Sequence, residues 1–316
     1  MNPKTKRVLL LSARAVIAIT LLGALIWNIR AGEIFDSLAR IALSFLLSSI
    51  LSLYASILLG SFNQYVLFQP ILKLPFNKFI LSYFKAFVTG IFFPGQIGDA
   101  SIIYFLKPSG LYYSQSFSIY LWDKFITFII YAGILFLFLS RLKGYHDFFI
   151  PLSLILLLVF SAGFLYLFST LKYFQSLGGW MGRARLFMKN SASEILKYAG
   201  TYPVRLLINF NITCIKIFLV MSCYYFMFSA FGYRLSFWNI GISSIASGFV
   251  AYLPISIQGI GTVEATAVWI FGRLKIGPAD VLSGFLLLRI CGYLFAIVAF
   301  CLTCLMEYKK DLIARS

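Results

Sequence analysis

The stretch FFPGQIGDAS, residues 92–101, places a proline, two glycines and an aspartate inside a run of apolar residues. Proline ends a helix because it has no amide hydrogen and its ring clashes with the preceding turn, whereas glycine permits backbone angles that other residues resist. At membrane depth, irregular backbone is tolerated only where protein or water shields it from lipid. The stretch therefore predicts a broken helix inside a bundle of other helices.

The composition excludes an ordinary soluble protein. Of the 316 residues, 61% are hydrophobic and only 12% are charged, whereas charged residues make up about a quarter of a soluble domain. The net charge of +17 comes mostly from lysines and arginines at the ends of apolar runs, where they set orientation and meet anionic headgroups. We expect a membrane protein without a nucleic-acid partner, because no soluble domain can carry a basic groove.

The sequence offers few ligands for a metal ion or a cofactor. His146 is the only histidine, and the five cysteines all lie in apolar runs, where we interpret them as small buried hydrophobic residues. Cys301 and Cys304 have the CxxC spacing, but they lie in such a run as well. We therefore expect no metal, no cofactor and no catalytic residue.

We predict an all-α polytopic fold in one membrane domain, residues 1–316. Six apolar runs are long enough to span a bilayer as helices, namely residues 8–28, 41–68, 117–139, 149–169, 206–231 and 281–306. Two further stretches, residues 79–107 and 236–272, are divided by proline and glycine into pieces too short to cross alone. We predict that each forms a re-entrant pair of half-helices that enters and leaves on one side.

The distribution of lysine and arginine predicts the orientation. Basic residues concentrate near the N-terminus, around residues 73–78 and 107, in a linker of about residues 172–200, and in the C-terminal tail. Such an excess marks cytoplasmic loops. We expect a multi-pass protein of the inner (cytoplasmic) membrane with both termini in the cytoplasm, and a linker that is either an interfacial helix or a solvated loop.

In this topology the second half of the chain is an inverted copy of the first. The first repeat covers about residues 41–139 and the second about 206–306, and their broken segments enter from opposite sides. FVTGIFFPGQIGDA (87–100) and FVAYLPISIQGIGTVEA (249–265) both run from Phe-Val through proline and glycine to an acid followed by alanine. Inverted repeats with broken helices in corresponding positions indicate the central site of a transporter.

The two helix breaks supply the predicted backbone of that site. Its residues are Pro94, Gly95 and Gly98 in the first break, and Pro254, Gly259, Gly261 and Thr262 in the second. Asp99 and Thr262 stand where N-cap residues would stand, and Glu264 follows in the first turn. Two helix N-termini would then point inward and favour an anion such as phosphate. The alternative is that Asp99 and Glu264 only cap their own half-helices.

Charged residues inside the predicted spans supply the candidate substrate-binding side chains. They are Asp123, Lys124, Lys216 and Arg289, and each costs about 2.5 to 3.5 kcal/mol at the bilayer centre. With Asp99 and Glu264 they give three acids and three bases, a set that can hold a zwitterionic or anionic headgroup. Arg289 is the strongest candidate for phosphate, which guanidinium binds in bidentate fashion, whereas Lys124 and Lys216 could instead extend to the interface.

In this order and spacing the motifs resemble the flippase-like integral membrane family, the transmembrane region of lysylphosphatidylglycerol synthases or multiple peptide resistance factors. The resemblance rests on PGQIGD (94–99), Asp123 with Lys124, LPISIQGIGTVEA (253–265) and LLR (287–289), and covers essentially the whole chain. The chain departs from the family pattern at Ile97, Ile102, Lys124 and Val263, which replace a glycine and three arginines. We expect a stand-alone member without the synthase domain.

The resemblance implies that an aminoacylated phospholipid or a polyprenyl-linked lipid moves between leaflets. We expect a transporter and not an enzyme, in which Asp99 and Glu264 hold an amine or protons and Arg289 and Lys124 hold phosphate. The alternatives are an accessory or anchor subunit of a lipid or glycan transferase, and a membrane-embedded transferase, which the lack of a DDxxD pattern disfavours. The expected partners are membrane lipids, a separate synthase or glycosyltransferase, and a second copy of the chain in a homo-oligomer.

Overall fold

The computed structural model describes residues 20–91, 99–139, 179–252 and 256–315. Within these ranges the chain is helical and contains no β-strand. The α-helices are α1 (Thr20–Ile29), α2 (Ala31–Ala39), α3 (Leu43–Leu72), α4 (Phe76–Gly90), α5 (Ile102–Phe105), α6 (Tyr113–Leu139), α7 (Gly179–Thr201), α8 (Pro203–Ala230), α9 (Phe237–Phe249), α10 (Thr262–Gly272) and α11 (Pro278–Arg315). Short 3₁₀ turns lie at Asp99–Ser101, Lys107–Ser109 and Val250–Tyr252. The predicted all-α polytopic class is confirmed.

Four helices in the described ranges are long and apolar enough to cross a membrane. These spans are Leu43–Leu72, Tyr113–Leu137, Pro203–Ala230 and Pro278–Met306, and they confirm four of the six predicted spans with ends shifted by a few residues. The predicted span 149–169 lies outside the described residues, as does most of 8–28, whose described end forms the short apolar helix α1.

The order of the helices on either side of the two breaks is the same. A long helix, a short helix, a break, a shorter helix and a long helix follow one another as α3 to α6, and then again as α8 to α11. Both predicted breaks are therefore confirmed as helix ends, although Pro94, Gly95, Gly98 and Pro254 lie outside the described residues. The second half-helix predicted within residues 79–107 is shorter than expected, because α5 is a single turn of 4 residues.

The first long helices of the two halves, α3 and α8, run antiparallel. The backbone amide of Ala42 donates to the carbonyl of Ala230 at 2.9 Å, and Ser49 Oγ donates to the carbonyl of Cys223 at 2.7 Å. Further along, Asn63 Nδ2 donates to Thr213 Oγ1 at 2.9 Å. Residue numbers rise along α3 as they fall along α8, so the two helices pack side by side with opposite directions.

The polar residues of these helices face the protein and many apolar residues face outward. Ser61, Asn63 and Asn209 are fully buried, whereas Leu51 and Leu207 are mostly exposed. Such a distribution is typical of membrane helices, whose polar residues face the bundle interior because lipid cannot solvate them. A polar interior between α3, α6 and α8 therefore positions the candidate site.

Part of the predicted linker is a helix that packs on the bundle. In α7, the backbone carbonyls of Ser191 and Ile195 accept hydrogen bonds from Ser118 Oγ at 2.8 Å and Trp122 Nε1 at 3.1 Å. Tyr198 Oη of α7 donates to the carbonyl of Leu67 at 2.6 Å. For residues 179–201 the alternative of a solvated loop is therefore wrong.

Candidate functional site

A cavity of about 210 Å³ lies between α3, α4, α6 and α8. Four of the six predicted charged residues line it, namely Asp99, Asp123, Lys124 and Lys216. The remaining lining residues are Ser56, Ile57, Gly60, Gln64, Tyr83, Ala86, Phe87, Thr127, Val220 and Tyr252. We call this space the first cavity. It brings together charged side chains that are up to 117 positions apart in the sequence, from Asp99 to Lys216.

Asp99 and Lys124 form an ion pair at the edge of the first cavity. Lys124 Nζ donates to Asp99 Oδ2 at 2.9 Å, and the two side chains are 22% and 31% exposed. The ammonium group of Lys124 thus lies at the cavity, paired with Asp99. The prediction that Asp99 is an N-cap is also wrong, because Asp99 lies in a 3₁₀ turn and Ser101 precedes α5.

Asp123 is held by neutral amide groups. Its Oδ1 accepts from Asn209 Nδ2 at 3.1 Å and from Asn63 Nδ2 at 3.5 Å, and its Oδ2 accepts from Gln64 Nε2 at 3.4 Å. The Asp123 side chain is buried, with 4% exposure. No lysine or arginine in the described ranges comes within ion-pair distance of it. The carboxylate is therefore solvated by amide dipoles, and no described residue is a direct counter-ion for it.

Lys216 has no hydrogen-bond or ion-pair partner among the residues that the structure describes. Its aliphatic stem passes Gly60, where an added Cβ would lie 3.6 Å from Lys216 Cδ and 3.2 Å from Tyr83 Oη. The absence of a side chain at Gly60 therefore leaves room for the lysine. Its ammonium group is a positive charge in the cavity that is available for an anion.

Two tyrosines outside the four spans complete the electrostatic environment of the first cavity. Burial, and next the charge of Asp99, raises the pKa of Tyr83 above its ordinary value. Burial, and next the neighbouring Tyr131, raises the pKa of Tyr252 well above its ordinary value. Both phenols therefore stay neutral at physiological pH and add hydroxyl groups but no charge to the cavity.

The second ion pair joins Glu264 of α10 to Arg289 of α11. Glu264 Oε1 accepts from Arg289 Nη2 at 2.6 Å and from Arg289 Nε at 2.9 Å, and Glu264 is fully buried. Arg289 Nη1 also donates to the carbonyl of Gln258 at 3.0 Å and to Tyr293 Oη at 3.3 Å. The guanidinium group is thus fixed by three other residues.

Glu264 also caps the N-terminus of α10. The amide of Gly261 donates to Glu264 Oε2 at 2.7 Å, and Gly261 is the N-cap residue, with φ of 80°. Thr262 begins the helix, so the prediction of Thr262 as the cap is wrong. Its hydroxyl donates to the carbonyl of Gly259 at 3.1 Å. Glu264 therefore combines capping of its own helix with the ion pair to Arg289.

The second break depends on glycine because its backbone adopts positive φ angles. Gly259 has φ of 73°, and an added Cβ would lie 2.7 Å from Val263 Cγ2 and 3.0 Å from Ala251 Cβ. Both the φ angle and the contact disfavour any larger residue. At this break the carbonyl of Gln258, the residue before Gly259, accepts a hydrogen bond from Arg289.

Arg289 lines a second cavity of about 270 Å³. Most of its lining is apolar, and three residues, Ile57, Phe87 and Val220, line both this second cavity and the first. They come from α3, α4 and α8, and we call them the partition. The two cavities are therefore neighbours, each with one of the two ion pairs at its wall.

The two ion pairs occupy corresponding positions in the two halves. The acid lies directly after a helix break and the base lies in the following long helix, and in both pairs the two residues are 25 positions apart. Of the three acids and three bases expected to face one another, Asp123 and Lys216 do not form a pair within the described ranges. Asn63, Gln64 and Asn209 were not predicted from the sequence as site residues, although a polar residue inside an apolar span indicates a position that faces the protein interior.

The described residues contain no group of three or more histidine, cysteine, aspartate or glutamate side chains that could share a metal ion.

The comparison with curated proteins gives no match to this chain. The family model for the lysylphosphatidylglycerol synthase TM region matches residues 11–299, which include three of the four described spans in full, most of the fourth, and both breaks. The chain therefore belongs to the family of the lysylphosphatidylglycerol synthase transmembrane region.

Proposed function

We propose that this chain is a transporter that moves a lipid between the leaflets of the cell membrane, and that the headgroup passes through the first cavity while the tails stay in the bilayer. The observation that carries the proposal is the ammonium group of Lys216, which lines a cavity between membrane-spanning helices and has no partner among the described residues. An ionisable residue within a span is costly and rare, and it usually marks the path of a substrate or an ion. Lys216 would bind the phosphate of the lipid.

The size of the first cavity supports a headgroup as the ligand. Its volume of about 210 Å³ is below the roughly 300–1,000 Å³ of pockets that enclose a drug-sized molecule. A phosphate with a short polar group fits such a space, whereas a lipid with its tails does not. The mostly apolar exposed surface of the spans leaves the tails in hydrocarbon.

The two halves of the chain would form an inverted repeat with re-entrant broken segments. The antiparallel α3 and α8, the repeated order of helices and the equal spacing of the two ion pairs support this arrangement. In transporters of this design one repeat moves against the other around a central site. The partition of Ile57, Phe87 and Val220 would then separate the first cavity, open to one leaflet, from the second cavity, open to the other.

The residues of the two ion pairs would guide the headgroup past the partition. Glu264 has both oxygens engaged, by Arg289 and by the Gly261 amide, so an amine of the lipid would approach Asp99 first. The phosphate would pass from Lys216 and Lys124 to Arg289. The membrane would be the inner (cytoplasmic) membrane, with both termini on the cytoplasmic side.

The test is transbilayer movement of a phospholipid with a fluorescent acyl chain in liposomes that contain the purified protein. We expect protein-dependent movement that the variant Lys216→Met lowers to the rate of protein-free liposomes. The matched control is Lys189→Met, which removes an exposed lysine of α7 that does not line the cavity. Movement in Lys216→Met at the rate of the unmodified protein would contradict the proposal.

The same preparation separates transport from the rival functions. A membrane-embedded transferase would convert a lipid-linked substrate without moving lipid, and an accessory subunit would co-purify with a transferase and change the amount of its product. Either result, together with no movement of lipid by the purified chain, would replace the transport proposal.

A further inference from the structure

Over the described residues, the formal charges at each cavity sum to zero when Glu264, the ion-pair partner of Arg289, is counted with the second cavity. The charged residues that line the first cavity are two acids, Asp99 and Asp123, and two bases, Lys124 and Lys216. At the second cavity Arg289 is matched by Glu264. The segments 92–98 and 253–255 within the two breaks contain no charged residue in the sequence. The breaks therefore add no charge to this balance.

The charges of the first cavity are not all paired with each other. Asp99 and Lys124 neutralise one another at 2.9 Å. Asp123 is solvated by the amides of Asn63, Gln64 and Asn209, and Lys216 makes no contact with a carboxylate among the described residues. The cavity thus contains one anion and one cation that a ligand with both signs of charge would complement.

We propose that the first cavity selects lipid headgroups whose net charge is zero, with one phosphate and one ammonium group, over headgroups of net negative or net positive charge. This inference rests on the proposed transport function and names the substrate class of that site. The phosphate binds Lys216, and the ammonium group binds on the side of Asp99 and Asp123. A neutral headgroup leaves both cavities neutral at every step of its passage.

The physical reason is the cost of an unmatched charge away from water. On insertion scales one such charge at the bilayer centre changes an equilibrium by roughly a hundredfold. Water that enters the cavity with the headgroup screens part of this effect. We therefore expect a preference of about tenfold or more for a neutral headgroup over a singly charged one.

The experiment compares three lipids with one labelled acyl chain in liposomes that contain the full-length protein. They are phosphatidylethanolamine (neutral), phosphatidylglycerol (one negative charge) and the lysine ester of phosphatidylglycerol (one positive charge). The unmodified protein is expected to move phosphatidylethanolamine fastest, by about tenfold or more over the other two. Equal rates for the three lipids would overturn the inference and leave the transport function intact.

Variants of the Asp99–Lys124 pair change the charge of the cavity in both directions. Asp99→Asn leaves a surplus positive charge and is expected to shift the preference to phosphatidylglycerol. Lys124→Gln leaves a surplus negative charge and is expected to shift it to the lysine ester. The double variant Asp99→Asn/Lys124→Gln is neutral again and is the matched control, because it has lost the same ion pair but is expected to prefer phosphatidylethanolamine.

A further variant keeps the test valid if loss of the ion pair prevents folding. Asp123→Asn adds the same surplus positive charge while the Asp99–Lys124 pair remains, so it is also expected to favour phosphatidylglycerol. An unchanged order of the three lipids in Asp99→Asn and Asp123→Asn would overturn the inference. Absence of protein-dependent movement of all three lipids would overturn the transport function and this inference with it.

Discussion

Replacing Glu264 with glutamine is expected to destabilise the protein by about 3–5 kcal/mol, the cost of breaking a buried ion pair by removing one partner. Glu264 is fully buried and Arg289 is only 18% exposed. The substitution leaves the guanidinium charge without a counter-ion, although the Gln258 carbonyl and Tyr293 Oη still accept from it. The remaining amide oxygen cannot serve both Arg289 and the Gly261 amide, which Glu264 binds through separate oxygens.

The assay is the free energy of unfolding of the purified protein in mixed micelles. The control Glu33→Gln removes an exposed glutamate from the first turn of α2 and is expected to change that free energy by less than about 1 kcal/mol. Adding Arg289→Gln to Glu264→Gln removes the uncompensated cation. The double variant is therefore expected to lose less free energy of unfolding than the two single variants lose in total. A loss below about 1 kcal/mol for Glu264→Gln would show that water screens the pair and would refute this reasoning.

Two further predictions concern the glycines that shape the site. Gly60→Leu places a side chain beside Lys216 and Tyr83 and is expected to abolish lipid movement in liposomes, whereas Gly133→Leu, at an exposed glycine of α6 with no atom within 4 Å of an added Cβ, is expected to retain it. Equal movement in the two variants would contradict this role of the first cavity. Gly259→Ala is expected to lower the free energy of unfolding by about 2–4 kcal/mol, because it combines strain at φ of 73° with a Cβ contact of 2.7 Å. Gly110→Ala is the control, because Gly110 has a similar φ of 88° but open space around the added Cβ. If Gly110→Ala lowered the free energy of unfolding as much as Gly259→Ala, the Cβ contact at Gly259 would be excluded as the cause.

The sequence predicted those parts of the fold that depend on local composition. The spans that contain Asp123, Lys216 and Arg289 are long apolar runs without proline, and their hydrophobicity alone indicates helices of membrane length. The two breaks were predictable because proline and glycine interrupt an apolar run for steric reasons that need no tertiary contact. The charges within the spans were equally visible, because each is a costly departure from the apolar pattern.

The partners of those charges could not be predicted, because they depend on which helix faces meet. Asp123 is held by Asn63, Gln64 and Asn209 from two other spans, and no local pattern selects these donors over a lysine. The N-cap predicted at Asp99 failed for a related reason. A carboxylate at a helix start is a local signal, but Lys124, 25 residues away, provides a charged donor that engages it instead.

The central claim is that a lipid headgroup enters the first cavity and binds Lys216. It is tested most directly by a density map of the protein in a lipid bilayer disc that contains phosphatidylethanolamine. We predict phosphate density in the first cavity, with an oxygen about 2.7–2.9 Å from Lys216 Nζ. A first cavity that contains only water, with lipid density confined to the outer surface of the spans, would contradict the claim.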